Sequence, residues 1–259
     1  MQRAFISGSA LAVVLAFLGV YVTLRKMSFL GDGMAHASLG SIAIGIALSV
    51  NPIVFAVLFG VFLSVIVYLL ERNTKLSFDA IVGIIFASGM SIGIVIISKM
   101  QGYQPELVAF LFGSILSVGW SDMWIILVIS AVSTVFLLLS YRSLTLLSLH
   151  RDMAAVSGIK VDFLELVFTI IVSVSIIVGV KLLGVVLVSA LLIIPPSVSK
   201  VISRSFHSFV LRSIFLSECI VVGGLFISYY FDLPSGATIV LTGAVLFAIV
   251  VGIKKVFLE

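Results

Sequence analysis

The stretch GATIVLTGAVLFAIVVGI at residues 236–253 runs for eighteen residues without a charged side chain. A helix rises 1.5 Å per residue, so a run of this length spans ~27 Å, close to the ~30 Å of hydrocarbon in a bilayer. Runs of the same kind recur upstream near residues 4–24, 30–49, 53–70, 78–98, 122–140, 162–180, 183–199 and 209–229. Together they explain a composition of 62% hydrophobic and 10% charged residues with a mean hydropathy of +1.38. That leaves too little polar surface to coat a soluble globule. A membrane β-barrel would instead alternate polar and apolar residues in short segments. The expectation is an all-α integral membrane protein, a polytopic bundle of about 8–9 transmembrane helices in one domain over residues 1–259. The apolar stretch at 107–118 is too short to cross and suits a re-entrant or interfacial segment.

The connecting segments orient this bundle, because Lys and Arg are retained on the cytoplasmic side. One set of loops and ends holds Arg25, Lys26, Arg72, Lys75, Arg142, Arg151, Lys160, Lys200, Arg204, Arg212, Lys254 and Lys255. The opposite set holds only Arg3, Lys99 and Lys181. Nine spans then put the C-terminus in the cytoplasm and the N-terminus outside. The net charge of +4 is dispersed through short loops and makes no stripe interleaved with aromatics, so nucleic acid is not an expected partner. The single cysteine, Cys219, lies in an apolar run and forms no intramolecular disulfide. The first apolar run begins at Ala4 and reads as a retained helix, not a cleaved signal peptide.

Few residues could carry chemistry. The second span opens FLGDGMAHASLG at 29–40, and on a helix Asp32 and His36 share one face, ~6 Å apart along the axis. A carboxylate and an imidazole at that spacing can approach one divalent ion; imidazole suits zinc, and carboxylate extends the range towards manganese. The competing reading makes Asp32 a helix cap and His36 a packed, hydrogen-bonded histidine. Glu218, near the middle of the eighth span, is either a further ligand or a protonated structural glutamate facing the interior. Pro195 and Pro196 remove two backbone donors from the seventh span, giving a hinge or a fixed kink. The longest polar interruption, Tyr141 to Asp162, is either a plain connection or one holding a short helix from near His150 to Gly158. There is no G-x-x-x-x-G-K-S/T phosphate loop, Cys cluster, H-E-x-x-H pair or G-x-S-x-G elbow, so ATP hydrolysis would fall to another chain.

Four blocks in order, LRKMSFLGDGMAHASLG (24–40), SFDAIVGIIFASG (77–89), GVVLVSALLIIPPSVSK (184–200) and YYFDLPSGATIVL (229–241), make the chain resemble the permeases of ATP-binding-cassette importers for zinc, manganese and iron. The resemblance implies a permease subunit of a bacterial cytoplasmic (inner) membrane importer, multi-pass and not itself an enzyme. By it, Gly31, Asp32 and His36 match the family's G-D-x-x-x-H element, and Asp32 and His36 contribute to the metal site. It implies no permanently bound cofactor, with ATP on the partner subunit. The implied partners are a cytoplasmic ATPase docked on the segment Leu149 to Val161, an extracytoplasmic metal-binding protein, a second copy of the chain and the surrounding lipid bilayer. The chain departs from the family at His150, Arg151 and Asp152, where acidic residues are common, and at Ile194-Pro195-Pro196-Ser197, where I-P-A-A is usual. Glu218 and His207 match no family element. From a different class, an ion-gradient-driven carrier or channel without an ATPase is the alternative.

Overall fold

The computed structural model describes residues 2–50, 52–99 and 119–258. The segment expected at 107–118 lies outside the described residues. Among the described residues eleven helices follow in chain order: α1 (Gln2–Leu24), α2 (Phe29–Ala47), α3 (Pro52–Asn73), α4 (Phe78–Lys99), α5 (Trp120–Leu139), α6 (Tyr141–Leu149), α7 (Arg151–Val156), α8 (Val161–Leu183), α9 (Val185–Ile202), α10 (Phe206–Phe231) and α11 (Ser235–Leu258). The nine long ones are the nine apolar runs, several extended past their apolar limits. A helix satisfies its own backbone and so continues into the headgroup layer after the apolar residues stop.

By length and composition eight of these helices qualify as membrane spans, and α2 falls short. It crosses nonetheless. Arg25, just past α1, and Arg72, in the last turn of α3, both reach carboxylates in the first turns of α8: Glu165 at 2.9 Å and Asp162 at 2.8 Å. Helices α1 and α3 therefore finish at the same end of the bundle, and α2 between them must run back across it. At the opposite end the Arg3 guanidinium stands over the Trp120 ring, joining the starts of α1 and α5. The basic-residue count in the sequence and the geometry of the bundle thus select the same pair of ends.

The layering is that of a protein surrounded by lipid. Helix α1 is the core, with 72% of its spanning window buried, whereas α11 is peripheral at 22%. The surface of α3, α4, α5 and α11 exposes Leu58, Phe62, Val95, Val128, Val132, Leu241 and Val245. In lipid an outward apolar face costs nothing, and helix association rests on close packing and a few polar contacts. Five serines supply such contacts. Ser213 and Ser217 of α10 donate to the Ala16 and Ala12 carbonyls of α1, Ser199 of α9 donates to the Phe209 carbonyl, and Ser133 of α5 bonds Ser175 of α8.

One close seam joins α2 to α4. A Cβ built on Gly40 would lie 2.5 Å from the Gly89 carbonyl oxygen, and one on Gly89 would lie 2.8 Å from Ala37 Cα, so the two backbones touch. A second close approach explains the proline pair. Helix α9 continues unbroken through Pro195 and Pro196, both buried. Pro196 provides no N–H for the Leu192 carbonyl. Gly19 of α1 packs so tightly there that any Cβ would overlap that oxygen. Packed in this way α9 is held in one shape at the prolines, which argues against a hinge there.

The 141–162 segment is a helical structure and not a plain connection. Helix α6 buries Leu144 and Leu147. Helix α7 buries Ala154 and ends in a turn where Gly158, at φ +80°, donates to the Ala155 carbonyl and Ile159 to that of Ala154. This is the glycine-closed helix terminus in which a left-handed residue satisfies the last carbonyls.

Two outcomes follow. Gly89→Val should wedge α2 from α4 and lower stability by about 1–3 kcal/mol in detergent unfolding, whereas Gly252→Val, with open space around it, should leave stability unchanged. In a Cys219→Ala background, a membrane-impermeant thiol reagent applied from outside should label Leu233→Cys but not Val156→Cys, both exposed positions; the reverse pattern would invert the orientation.

Candidate functional site

Helix α2 is unusual among the spans for its small residues, and their burial decides which face stays open. Gly31, Gly33, Met34, Ala35, Ala37, Ser38, Leu39 and Gly40 are all buried as α2 packs against α3, α4, α8 and α9. Asp32 and His36 are the half-buried exceptions in this stretch. They share the uncovered face one turn apart, ~5 and ~10 Å in from the basic end of the helix at 1.5 Å per residue.

The N-cap of α2 is Ser28, and Asp32 lies within the first turn, so capping does not account for its carboxylate. His36 Nδ1 lies 2.9 Å from the Asp32 backbone carbonyl. A carbonyl only accepts, so Nδ1 carries the proton and Nε2 holds the free lone pair. Metal-ligating histidines are commonly oriented in this way, donating the second ring nitrogen to a carbonyl. The ring is further braced edge-on against Phe86 of α4, with centroids 4.8 Å apart, and Phe86 in turn packs on Phe29. One carboxylate and one oriented imidazole are thus available from this chain. No group of three or more His, Cys, Asp or Glu that could hold a metal occurs among the described residues.

The other candidates stand apart from this pair. Glu218 is half-buried in α10, hydrogen-bonded with Ser9 of α1, and one of its carboxylate oxygens is buried without a partner. Its helix packs on α1, α9 and α11. His207 is exposed in the first turn of α10 at the basic end.

At the same end, below the start of α2, a charged cluster surrounds a cavity of about 620 Å³ lined by Arg25, Tyr68, Glu71, Arg72, Leu147, Arg151, Asp162 and Glu165. The Arg25–Glu165 pair is largely shielded, at 13% and 15% side-chain exposure, whereas Arg72 and Asp162 are about half exposed. Arg151 of α7 bridges both acids, with Nη2 at 3.2 Å from Asp162 and Nε at 3.3 Å from Glu165. Burial pulls the Arg25 guanidinium below its ordinary value, and Glu165 opposes that. Hydrogen bonding to Glu165 holds Arg151 above its ordinary value. In the sequence, Arg25 and Arg72 served only to orient the chain, and Arg151 also marked a departure from the family pattern. The available signal was a pair of acids, Asp162 and Glu165, at the mouth of an apolar run; nothing local named their partners.

The ABC 3 transport family model matches residues 1–254. The chain is 30% identical over 246 residues to the high-affinity zinc uptake system membrane protein ZnuB of Haemophilus influenzae, covering 95% of this chain and 94% of that one. It is 31% identical over 249 residues to the manganese import system permease protein ScaB of Streptococcus gordonii, covering 96% and 89%. Among solved structures it is similar to PsaBC from Streptococcus pneumoniae in complex with Fab, with a TM-score of 0.84 at 28% identity over 96% of this chain and 90% of that one. An inward-facing metal-chelate type ABC transporter shares the fold, with a TM-score of 0.79 at 20% identity over 96% and 85%. A match over nearly the whole length, carried on a bundle of this architecture, means that the chain belongs to the ABC 3 transport family.

Proposed function

We propose that this chain is the membrane-spanning permease subunit of an ATP-binding-cassette importer for a divalent transition metal, zinc or manganese, with iron chemically admissible. The observation that carries the reading is the open face of α2. It presents a carboxylate and a tautomer-fixed imidazole one turn apart, on a helix otherwise made of small buried residues. Relatives named for zinc and for manganese uptake support the metal class. A carboxylate and an imidazole accept either ion, so this donor set does not choose between them.

Two ligands from one chain hold a metal weakly. Four-coordinate zinc is completed when a second copy, related by a two-fold axis, brings its own Asp32 and His36 to the same ion. A site split between copies can empty when the copies move apart, which a transporter needs and a storage site does not. The basic end is assigned to the cytoplasm by its Lys and Arg excess. There Leu149 to Val161, containing α7, is the docking segment for the ATPase subunit: Met153 and Val156 are exposed apolar side chains on a short helix held to the body by Ala154 and Arg151. The metal is delivered from the other side by an extracytoplasmic metal-binding protein.

In proteoliposomes holding the complete transporter, Asp32→Asn and His36→Leu should each reduce metal uptake at least about tenfold, as loss of a direct ligand does, with protein level and ATPase assembly retained. Wild-type flux in both variants would remove the ligand assignment. Val156→Asp should abolish co-purification of the ATPase without affecting membrane insertion; undiminished association would move the docking site elsewhere.

A further inference from the structure

The charged cluster at the basic end joins two parts of the molecule that the importer reading assigns to opposite tasks. Glu165 Oε1 accepts from Arg25 Nη2 at 2.9 Å and from Arg151 Nε at 3.3 Å, while Oε2 accepts from Arg151 Nη2 at 3.4 Å. Arg151 is the first residue of α7. Arg25 begins the corner between α1 and α2. A single carboxylate in α8 therefore holds the docking segment on one side and the metal-carrying helix on the other.

Both attachments are stiff. Arg25 donates its backbone N–H to the Tyr21 carbonyl, Met27 donates to Val22, and Leu30, already inside α2, donates to Met27. Met27 is 3% exposed, and Lys26 takes a left-handed φ of +58°. With this many constraints, moving Arg25 moves the first turn of α2, where Asp32 lies. Helix α7 is equally fixed, by buried Ala154 and the turn at Gly158. The shielded Arg25–Glu165 pair is suited to fixing geometry more than to adding net stability.

The cluster also has the means for a second arrangement. Arg25 Nη1 is buried without an acceptor. Glu71 of α3 lines the same cavity and attracts Arg25 electrostatically. Transfer of Arg25 from Glu165 towards Glu71 would satisfy the stranded donor and release α2 from α7. A buried group with two alternative partners is the kind of discrete element through which distant sites are coupled.

We propose that Glu165 is a positioning residue that couples the ATPase-docking segment to the helix bearing Asp32 and His36, so that movement of α7 on ATP binding is transmitted to the metal pair through Arg151, Glu165 and Arg25. This rests on the importer reading. The test uses the complete transporter in proteoliposomes, with zinc or manganese supplied through the binding protein. Metal uptake and ATP hydrolysis are measured on the same vesicles and expressed as ions moved per ATP. In Glu165→Gln, hydrolysis should stay within about twofold of wild type while ions per ATP fall about tenfold. A purely structural role would lower both in proportion and leave the ratio unchanged, which overturns the proposal. Arg25→Gln removes only the α2 side, leaves both Arg151 bonds in place, and should give the same loss of ratio. If Glu165→Gln fails to assemble, Arg25→Gln decides alone, and an unchanged ratio there overturns the coupling. A wild-type complex that moves no metal overturns the importer reading itself, so the two failures are told apart.

Discussion

A helix that carries an aspartate and a histidine on one face can bury only its other faces in the bundle, and the arrangement of the spans follows from packing those. An unpaired charge at the bilayer centre costs on the order of 3 kcal/mol on insertion scales. Asp32 and His36 avoid that depth by lying near the basic end of α2, whose other faces pack against α3, α4, α8 and α9, which is possible only because those faces are nearly bare backbone. At Gly40 and Gly89 the neighbouring chains meet without side chains between them. Dispersion and small-residue packing replace the hydrophobic effect, which gives no drive between helices already in hydrocarbon. The polar face of α2 is left open because every other face is occupied.

Much of this was legible in the sequence, for reasons that differ by element. The long spans are visible because a bilayer sets a length that composition must meet, so residues 236–253 and α11 coincide almost by necessity. Helix α2 was legible despite its poorer hydropathy, since Asp32 and His36 sit at a helical spacing among small residues. The capping alternative fell once Ser28 was found at the N-cap. The region after α5 was less legible. YRSLTLLSL is amphipathic over a short stretch, and its burial of Leu144 and Leu147 depends on neighbours that the local pattern does not specify. The partners of Glu165 were not legible at all, since Arg25 lies 140 residues away in the chain. Proline had been expected to distort α9. Its acceptance within a continuous helix depends on Gly19, on another span.

The arginines at the basic end act at two levels. Counted together they orient the protein in its membrane, through a rule indifferent to which loop each occupies. Taken singly, Arg25, Arg72 and Arg151 converge on two acids of α8 and bind the ends of α1 and α3 and the start of α7 to one point. Their geometry also differs by depth: the Arg25–Glu165 pair is shielded, whereas the pairs to Asp162 lie where water weakens them.

The central position of α1 has a consequence for how the chain is made. Its serine-donated contacts come from Ser213 and Ser217, 197 and 205 residues further along, and its tightest neighbour, α9, is also synthesised late. At about 5–20 residues per second the ribosome needs some 10–40 s to supply them. Throughout that interval the helix destined for the interior must reside in the membrane without these neighbours. The most buried span accordingly keeps a hydropathy of 2.2, well within the range of a membrane-spanning helix, so that it is stable in lipid before it is enclosed by the protein.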